Sequence, residues 1–188
     1  MYKTFFDLET TDKNPNTAEV LTGYFETFKG KELISTLYVE CKPSLYLEAS
    51  FEIHKISKER AMSFPDKKIG MRQVYGHLLK YPSTLICHAN YTVFGVNGYF
   101  DWQVLRNYCF SINQQEWFYR VFRDYQIEST HTIAKQKLKL DNYRLSTLAA
   151  YFNIPLNHHD AKSDTEVCRQ IYFLLTEAKM SLFDFMEN

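Results

Sequence analysis

The residues of this chain that could do chemistry fall in three short segments. In Phe5-Phe6-Asp7-Leu8-Glu9-Thr10-Thr11, two carboxylates stand two positions apart at the end of an apolar run. A strand repeats every two residues, so Asp7 and Glu9 share one face. Two acids so placed repel each other, and a divalent cation removes that repulsion. The purely structural account is a solvated strand end. In Phe100-Asp101-Trp102-Gln103-Val104-Leu105, Asp101 lies where a loop becomes a helix, a place the helix dipole also favours for an acid. In His159-Asp160-Ala161-Lys162-Ser163-Asp164, a loop histidine and an acid of the first helical turn bracket a helix start. Ser163 and Glu166 there match a capping box, which is again a structural explanation.

The three segments weigh more together than apart. Asp-x-Glu, then Phe-Asp, then His-x-Ala-x-x-Asp is the pattern of the DnaQ-like (DEDDh) 3′–5′ exonucleases, typified by the proofreading epsilon subunit of bacterial DNA polymerase III. The chain resembles this family from Phe6 to Leu175. Two further stretches carry the resemblance. Phe51-Glu52-Ile53-His54-Lys55-Ile56-Ser57 is similar to the family's segment at the 3′-terminal nucleotide. Ser129 to Lys135, followed by Tyr143 to Leu148, is similar to its Asp-Thr-Leu-x-Leu-Ala-Arg strand and the short helix after it.

The resemblance implies a ribonuclease H-like α/β fold, a five-stranded mixed sheet with helices on both faces, as a single domain over residues 1–188. It implies hydrolysis of the last phosphodiester bond with two divalent cations, Mg²⁺ or Mn²⁺. Asp7, Glu9 and Asp164 would hold the ion carrying the attacking water, Asp7 would bridge to the second ion, and Asp101 would act largely through waters. Carboxylate oxygens suit such hard cations. His159 would be the general base, a role that suits an imidazole of ordinary pKa near ~6.5. Leu8, Thr10, Ile53 and His54 would hold the 3′ nucleotide, with stacking that tolerates any base. Single-stranded DNA is the expected substrate, in replication, repair or proofreading. An RNA exonuclease resembling oligoribonuclease or ribonuclease T is the alternative, and a catalytically silent nucleic-acid-binding module the second. A polymerase or repair partner is compatible with the family. The chain has no long tail after the motifs, so a stand-alone nuclease, or one using its own surface for contacts, is the expectation.

The match departs from the family in places. Asp12 stands where the family has Gly after Glu-Thr-Thr, and Lys55 where it has Gly after the histidine of the binding segment. The family writes His-Asn-x-x-Phe-Asp without a break, whereas Tyr91 to Tyr99 separates Cys87-His88-Ala89-Asn90 from Phe100-Asp101. Either a loop is inserted after a strand at 84–89, or the strand is 91–96 and Asn97 belongs to the motif. Of the adjacent His158 and His159, only His159 has the motif's spacing. His131 reads as a strand or loop residue without a catalytic part, and His77 as a surface residue on a helix.

Certain elements must position these groups. Tyr2 to Leu8 reads as a buried strand. Segments 18–28 and 33–41 are rich in Val, Leu, Tyr, Phe and Thr, and Lys29-Gly30-Lys31 between them predicts a hairpin. Ile69, Val74, Leu78 and Leu79 predict a helix from Asp66 to Tyr81, ended by Pro82. Strands are expected at Thr84 to Ala89 and Gln126 to Ile133. Helices are expected at Trp102 to Tyr108, Gln114 to Phe122, Arg144 to Phe152 and Ala161 to Ala178. A meander followed by alternating strands and helices suits a mixed sheet.

The chain's 188 residues are 45% hydrophobic and 23% charged, which excludes a disordered chain. Its 15 Phe and 14 Tyr are mostly core filling. With 22 acidic and 22 basic residues the net charge is zero, which argues against tight, non-specific duplex binding. Cys41, Cys87, Cys109 and Cys168 form no CxxC pair, so reduced thiols of a cytoplasmic protein are expected. Charges and the segment Asp7-Leu8-Glu9 interrupt the N-terminus early, so no signal peptide is expected, and no run is long enough to span a membrane.

Overall fold

The computed structural model describes residues 1–88, 90–93, 96–111, 116, 119, 126–157 and 159–177. Strand β1 (Tyr2–Thr10) is its axis. Alternation along β1 sends Phe5 to one side of the sheet and Phe6 and Leu8 to the other. β1 pairs antiparallel with β2 (Val20–Lys29), which pairs antiparallel with β3 (Glu32–Glu40). Gly30 turns that hairpin at φ +62°, a left-handed position that suits glycine. On its other edge β1 runs parallel to β4 (Ser83–Cys87). β4 is buried at every position, as a strand between two helical layers must be.

Two more strands, β5 (Asn90–Val93) and β6 (Val96–Tyr99), pair only with each other among the described strands. This hairpin lies between β4 and the helix that carries Asp101. The middle motif is therefore broken by an insertion after the strand, the first of the two arrangements considered. β7 (Ile127–Ser129) completes the main sheet, in the order β3-β2-β1-β4-β7.

Seven helices are described. α1 (Glu48–His54) and α2 (Lys58–Met62) follow the meander. α3 (Lys67–Lys80) and α4 (Phe100–Ser111) pack on the Phe6 and Leu8 side, through Met71, Val74, Leu78, Val104 and Leu105. α5 (Thr130–Lys137), α6 (Leu145–Tyr151) and α7 (Ala161–Glu177) cover the Phe5 side, through Ala134, Leu148, Val167 and Ile171. In α7 the buried residues Val167, Cys168, Ile171, Tyr172 and Leu175 make one helical face.

Two expectations are corrected. The strand expected over Gln126 to Ile133 ends at Ser129, and α5 begins at once. Ser129 Oγ accepts the Thr132 N–H at 3.3 Å and caps the helix, which outweighs the strand preference of the β-branched residues there. His77 is half-buried rather than a surface residue, its Nε2 2.8 Å from Thr27 Oγ1. All four cysteines are buried and free. Of the helix expected at Gln114 to Phe122, Glu116 and Tyr119 are helical and the rest lies outside the described residues, as do His158 and Ala89. No helix among the described residues is long and apolar enough to cross a membrane.

Candidate active site

Asp7 and Glu9 project from β1 on the Phe5 side, under α7. The helix is fastened there by its own polar residues. Thr165 Oγ1 donates to the Tyr24 carbonyl at 3.3 Å, and Tyr24 is the register partner of Asp7. One turn on, Arg169 Nε meets Glu26 at 2.7 Å. These ties bring the first turn of α7, with Asp164, over the end of β1. Asp160 caps that turn, its Oδ1 accepting the Ser163 N–H at 2.8 Å. The expected capping box is thereby corrected, since Ser163 Oγ instead accepts the Asn157 N–H at 3.0 Å. His159 precedes the cap in a left-handed conformation, φ +66°, and its N–H lies 3.3 Å from Asp164 Oδ2.

Asp101 arrives from the other layer. Its helix, α4, is held by the Tyr75 hydroxyl, which donates to the Leu105 carbonyl at 2.8 Å. Asn107 Nδ2 also donates to the Pro15 carbonyl at 2.8 Å, so α4 grips the loop after β1.

The result is one cleft of about 340 Å³, within the size range of small-molecule sites. Asp7, Glu9, Asp101, His159 and Asp164 all line it, as do Leu8, Thr10 and Ile53. Ligating atoms of Glu9, His159 and Asp164 lie within 4.8 Å of one another. His54 is not brought to this cleft. It lines an adjoining one, together with Glu9 and His159. Its Nδ1 accepts the Ile56 N–H at 3.0 Å, which leaves the proton on Nε2, 2.9 Å from Ser50 Oγ. The ring is 4% exposed, and burial, then the charge of His159, lowers its pKa. His88 points elsewhere, its Nδ1 2.7 Å from Thr130 Oγ1.

Four lining residues, Asp12, Lys13, Ser50 and Phe100, were not among the expected site residues. Ser50 stands one helical turn before Ile53 on α1, a spacing that could have found it. Phe100 served only as the neighbour of Asp101. Lys13 follows the departure at Asp12, and only the tertiary path of the loop turns it to the cleft.

The acids are in electrostatic tension. Burial, then the charges of Asp101, Glu9 and Asp164, hold Asp7 well above the usual carboxylate range. Glu9 is pushed up to about 7 by burial and then by Asp164 and Asp160. Asp101 is pushed up to about 8 by burial and then by Glu9 and Asp164, against the backbone N–H groups of Asp101 and Leu8. Asp101 is 2% exposed, and its Oδ2 is buried with no hydrogen-bond partner among the described residues. Four clustered carboxylates, three of them held above the usual carboxylate range and one with an orphaned oxygen, are the donor set a hard divalent cation would satisfy. The residues present therefore fit a hard divalent cation.

The sheet order, with helices on both faces, defines an α/β fold of the ribonuclease H-like type. The particular likeness is to exonuclease I. A structure of that enzyme, reported as suggesting how processivity is achieved, matches with a TM-score of 0.79 at 18% identity, over 98% of this chain and 42% of its own. The zinc-bound Escherichia coli enzyme with single-stranded DNA gives 0.79 at 17%, over 98% and 42%. The enzyme of Methylocaldum szegediense gives 0.78 at 16%, over 98% and 42%. At such identities the likeness is one of fold, and this chain spans about two fifths of the length of those proteins. No family model and no curated relative matches the sequence.

Proposed function

We propose that this chain is a metal-dependent 3′–5′ exonuclease domain that removes nucleotides one at a time from single-stranded DNA. The observation that carries the reading is the cleft itself. Asp7, Glu9, Asp101 and Asp164 come from three elements to one spot, with His159 at its mouth. The fold shared with exonuclease I supports it, one structure of which is a complex with single-stranded DNA.

Asp7, Glu9, Asp101 and Asp164 are the residues that would hold two Mg²⁺ or Mn²⁺ ions. When bound, such ions supply activation of a water nucleophile and neutralise charge at the departing oxygen. The remaining work falls to the chain. His159 is exposed and near Glu9 and Asp164, so its imidazole can reach an attacking water and take its proton. Leu8, Ile53 and Phe100 offer an apolar wall for the terminal base, while the Thr10 and Ser50 hydroxyls, whose protons go to the Asp12 and Leu47 carbonyls, offer acceptor oxygens to the sugar. An apolar wall grips any base, so base preference should be weak. His54 acts behind this surface, holding Ser50 in place.

The test uses 5′-labelled DNA and RNA strands of one sequence, with Mg²⁺, Mn²⁺ or chelator. A metal-dependent ladder shortening from the 3′ end, absent in Asp7→Asn, supports the reading. A ladder from RNA alone replaces DNA with RNA as substrate. Intact strands in every arm, from folded protein, overturn the nuclease assignment and favour a silent binding module.

A further inference from the structure

The catalytic cleft is strongly acidic, yet its proposed substrate is a polyanion. Cations at the carboxylates offset this only at the bond under attack. The rest of the strand needs a positive group supplied by the protein. Among the described residues that line the cleft, Lys13 is the one lysine or arginine. Its side chain is exposed and enters no ion pair with a described residue, so its ammonium is available to a ligand.

The loop that presents Lys13 is built to stay in place. Asp12 gives its carboxylate to the loop, accepting from the Thr17 hydroxyl and from the Asn14 N–H. Those bonds hold the Asp12 pKa below its ordinary value, so the acid stays charged and engaged. The Thr17 and Ala18 N–H groups close on the Asn14 carbonyl at 3.1 and 2.9 Å. Thr11 N–H reaches the Glu19 carbonyl at 3.0 Å across the loop's base. Asn107 then ties Pro15 and Asn16 to α4, the helix that carries Asp101. The loop and one wall of the acidic cluster are thus positioned by one helix. A cation held on a fixed loop loses less freedom on binding than one on a mobile segment.

We infer that Lys13 is a strand-binding residue that contacts a backbone phosphate other than the one being hydrolysed. It recognises DNA and RNA alike, since both offer that phosphate. This rests on the exonuclease reading and adds how the strand is gripped beyond its terminal nucleotide. Lys13 is a binding residue and takes no part in the bond-breaking step.

The experiment compares wild type, Lys13→Ala, Lys13→Arg and Lys13→Glu on two substrates. One is a short oligothymidylate, which has phosphates beyond the scissile bond. The other is the p-nitrophenyl ester of thymidine 5′-monophosphate, which has only the phosphate under attack. Lys13→Ala should raise KM for the oligonucleotide about tenfold, leave kcat within about twofold, and leave the ester unaffected. Its binding, followed by anisotropy of a labelled strand, should lose about 0.7 from the slope of log affinity against log salt. Lys13→Arg should restore both and Lys13→Glu should exceed both losses, with Tm unchanged throughout. Equal KM and salt slope in wild type and Lys13→Ala overturn this inference while the exonuclease reading stands. An equal loss on the ester assigns Lys13 to general field effects and also overturns it. A wild type that neither binds nor cleaves strand or ester removes the exonuclease reading itself.

Discussion

His159 is held at φ +66°, a conformation that costs an L-residue with a Cβ roughly 1–2 kcal/mol. The strain places an exposed imidazole over Glu9 and Asp164. Function and stability should therefore separate at this position. His159→Ala is expected to lose about 100-fold or more in turnover with substrate binding largely kept. His159→Gly should lose as much activity yet unfold at a higher temperature than His159→Ala, because glycine accepts the left-handed backbone. Turnover near wild type in either variant would remove His159 from the base role. At this scale the sequence was informative because short spacings carry geometry. Two positions along a strand put Asp7 and Glu9 on one face, and His159 and Asp164 bracket one helix start. His54 shows the limit. Its place in a motif said nothing of Ser50 and Ile56, which occupy both ring nitrogens.

Between elements, the closest approach that matters is α3 against the end of β3. A Cβ on Gly70 would stand 2.6 Å from Cys41 Sγ and 3.0 Å from the Glu40 carbonyl oxygen. Gly70→Ala must push the helix from the sheet and is expected to cost about 1–3 kcal/mol, read as a lowered denaturant midpoint. Gly76, on the same helix, has nothing within 4 Å of its Cβ position. Gly76→Ala should stabilise by about 0.5–1 kcal/mol through helix propensity. Equal effects at the two sites would mean that α3 does not pack as described. The longer elements were legible from pattern: the meander, α3 and α7 each repeat their apolar residues for several turns or pleats. α1 with seven residues and α2 with five are too short for a period to register. Their existence depends on neighbours distant in sequence.

For the whole molecule, the acid cluster makes folding and proton binding one equilibrium. Unfolded carboxylates lose their protons near ~4. Folded Glu9 and Asp101 keep theirs to about 7 and about 8, and Asp7 is raised as well. Between those limits the folded state binds more protons, so stability falls as pH rises. In chelator, Tm should therefore drop as pH rises from 5 to 8. Mg²⁺ or Mn²⁺ should raise Tm, and more at pH 8 than at pH 6, because ions bind the ionised cluster. Asp101→Asn should flatten the pH dependence and raise the metal-free Tm at pH 8. A Tm in chelator that is level or rising over this range would contradict the tension described. Net charge gave no hint of this, since the 22 acids and 22 bases cancel in the sum and not in space.

The central position of β1 has a consequence in time. The strand bears Asp7 and Glu9, but its sheet neighbours, β2 and β4, and the helix that closes its end, α7, all come later in the chain. A ribosome that has released β1 has released Asp7 and Glu9 without the Asp101 and Asp164 that join them in the cleft. The contacts that bring Asp164 to Glu9 close a loop spanning most of the described chain, and such long-range closures come late in folding. A nascent or refolding chain should thus regain helical circular dichroism before the proposed activity appears.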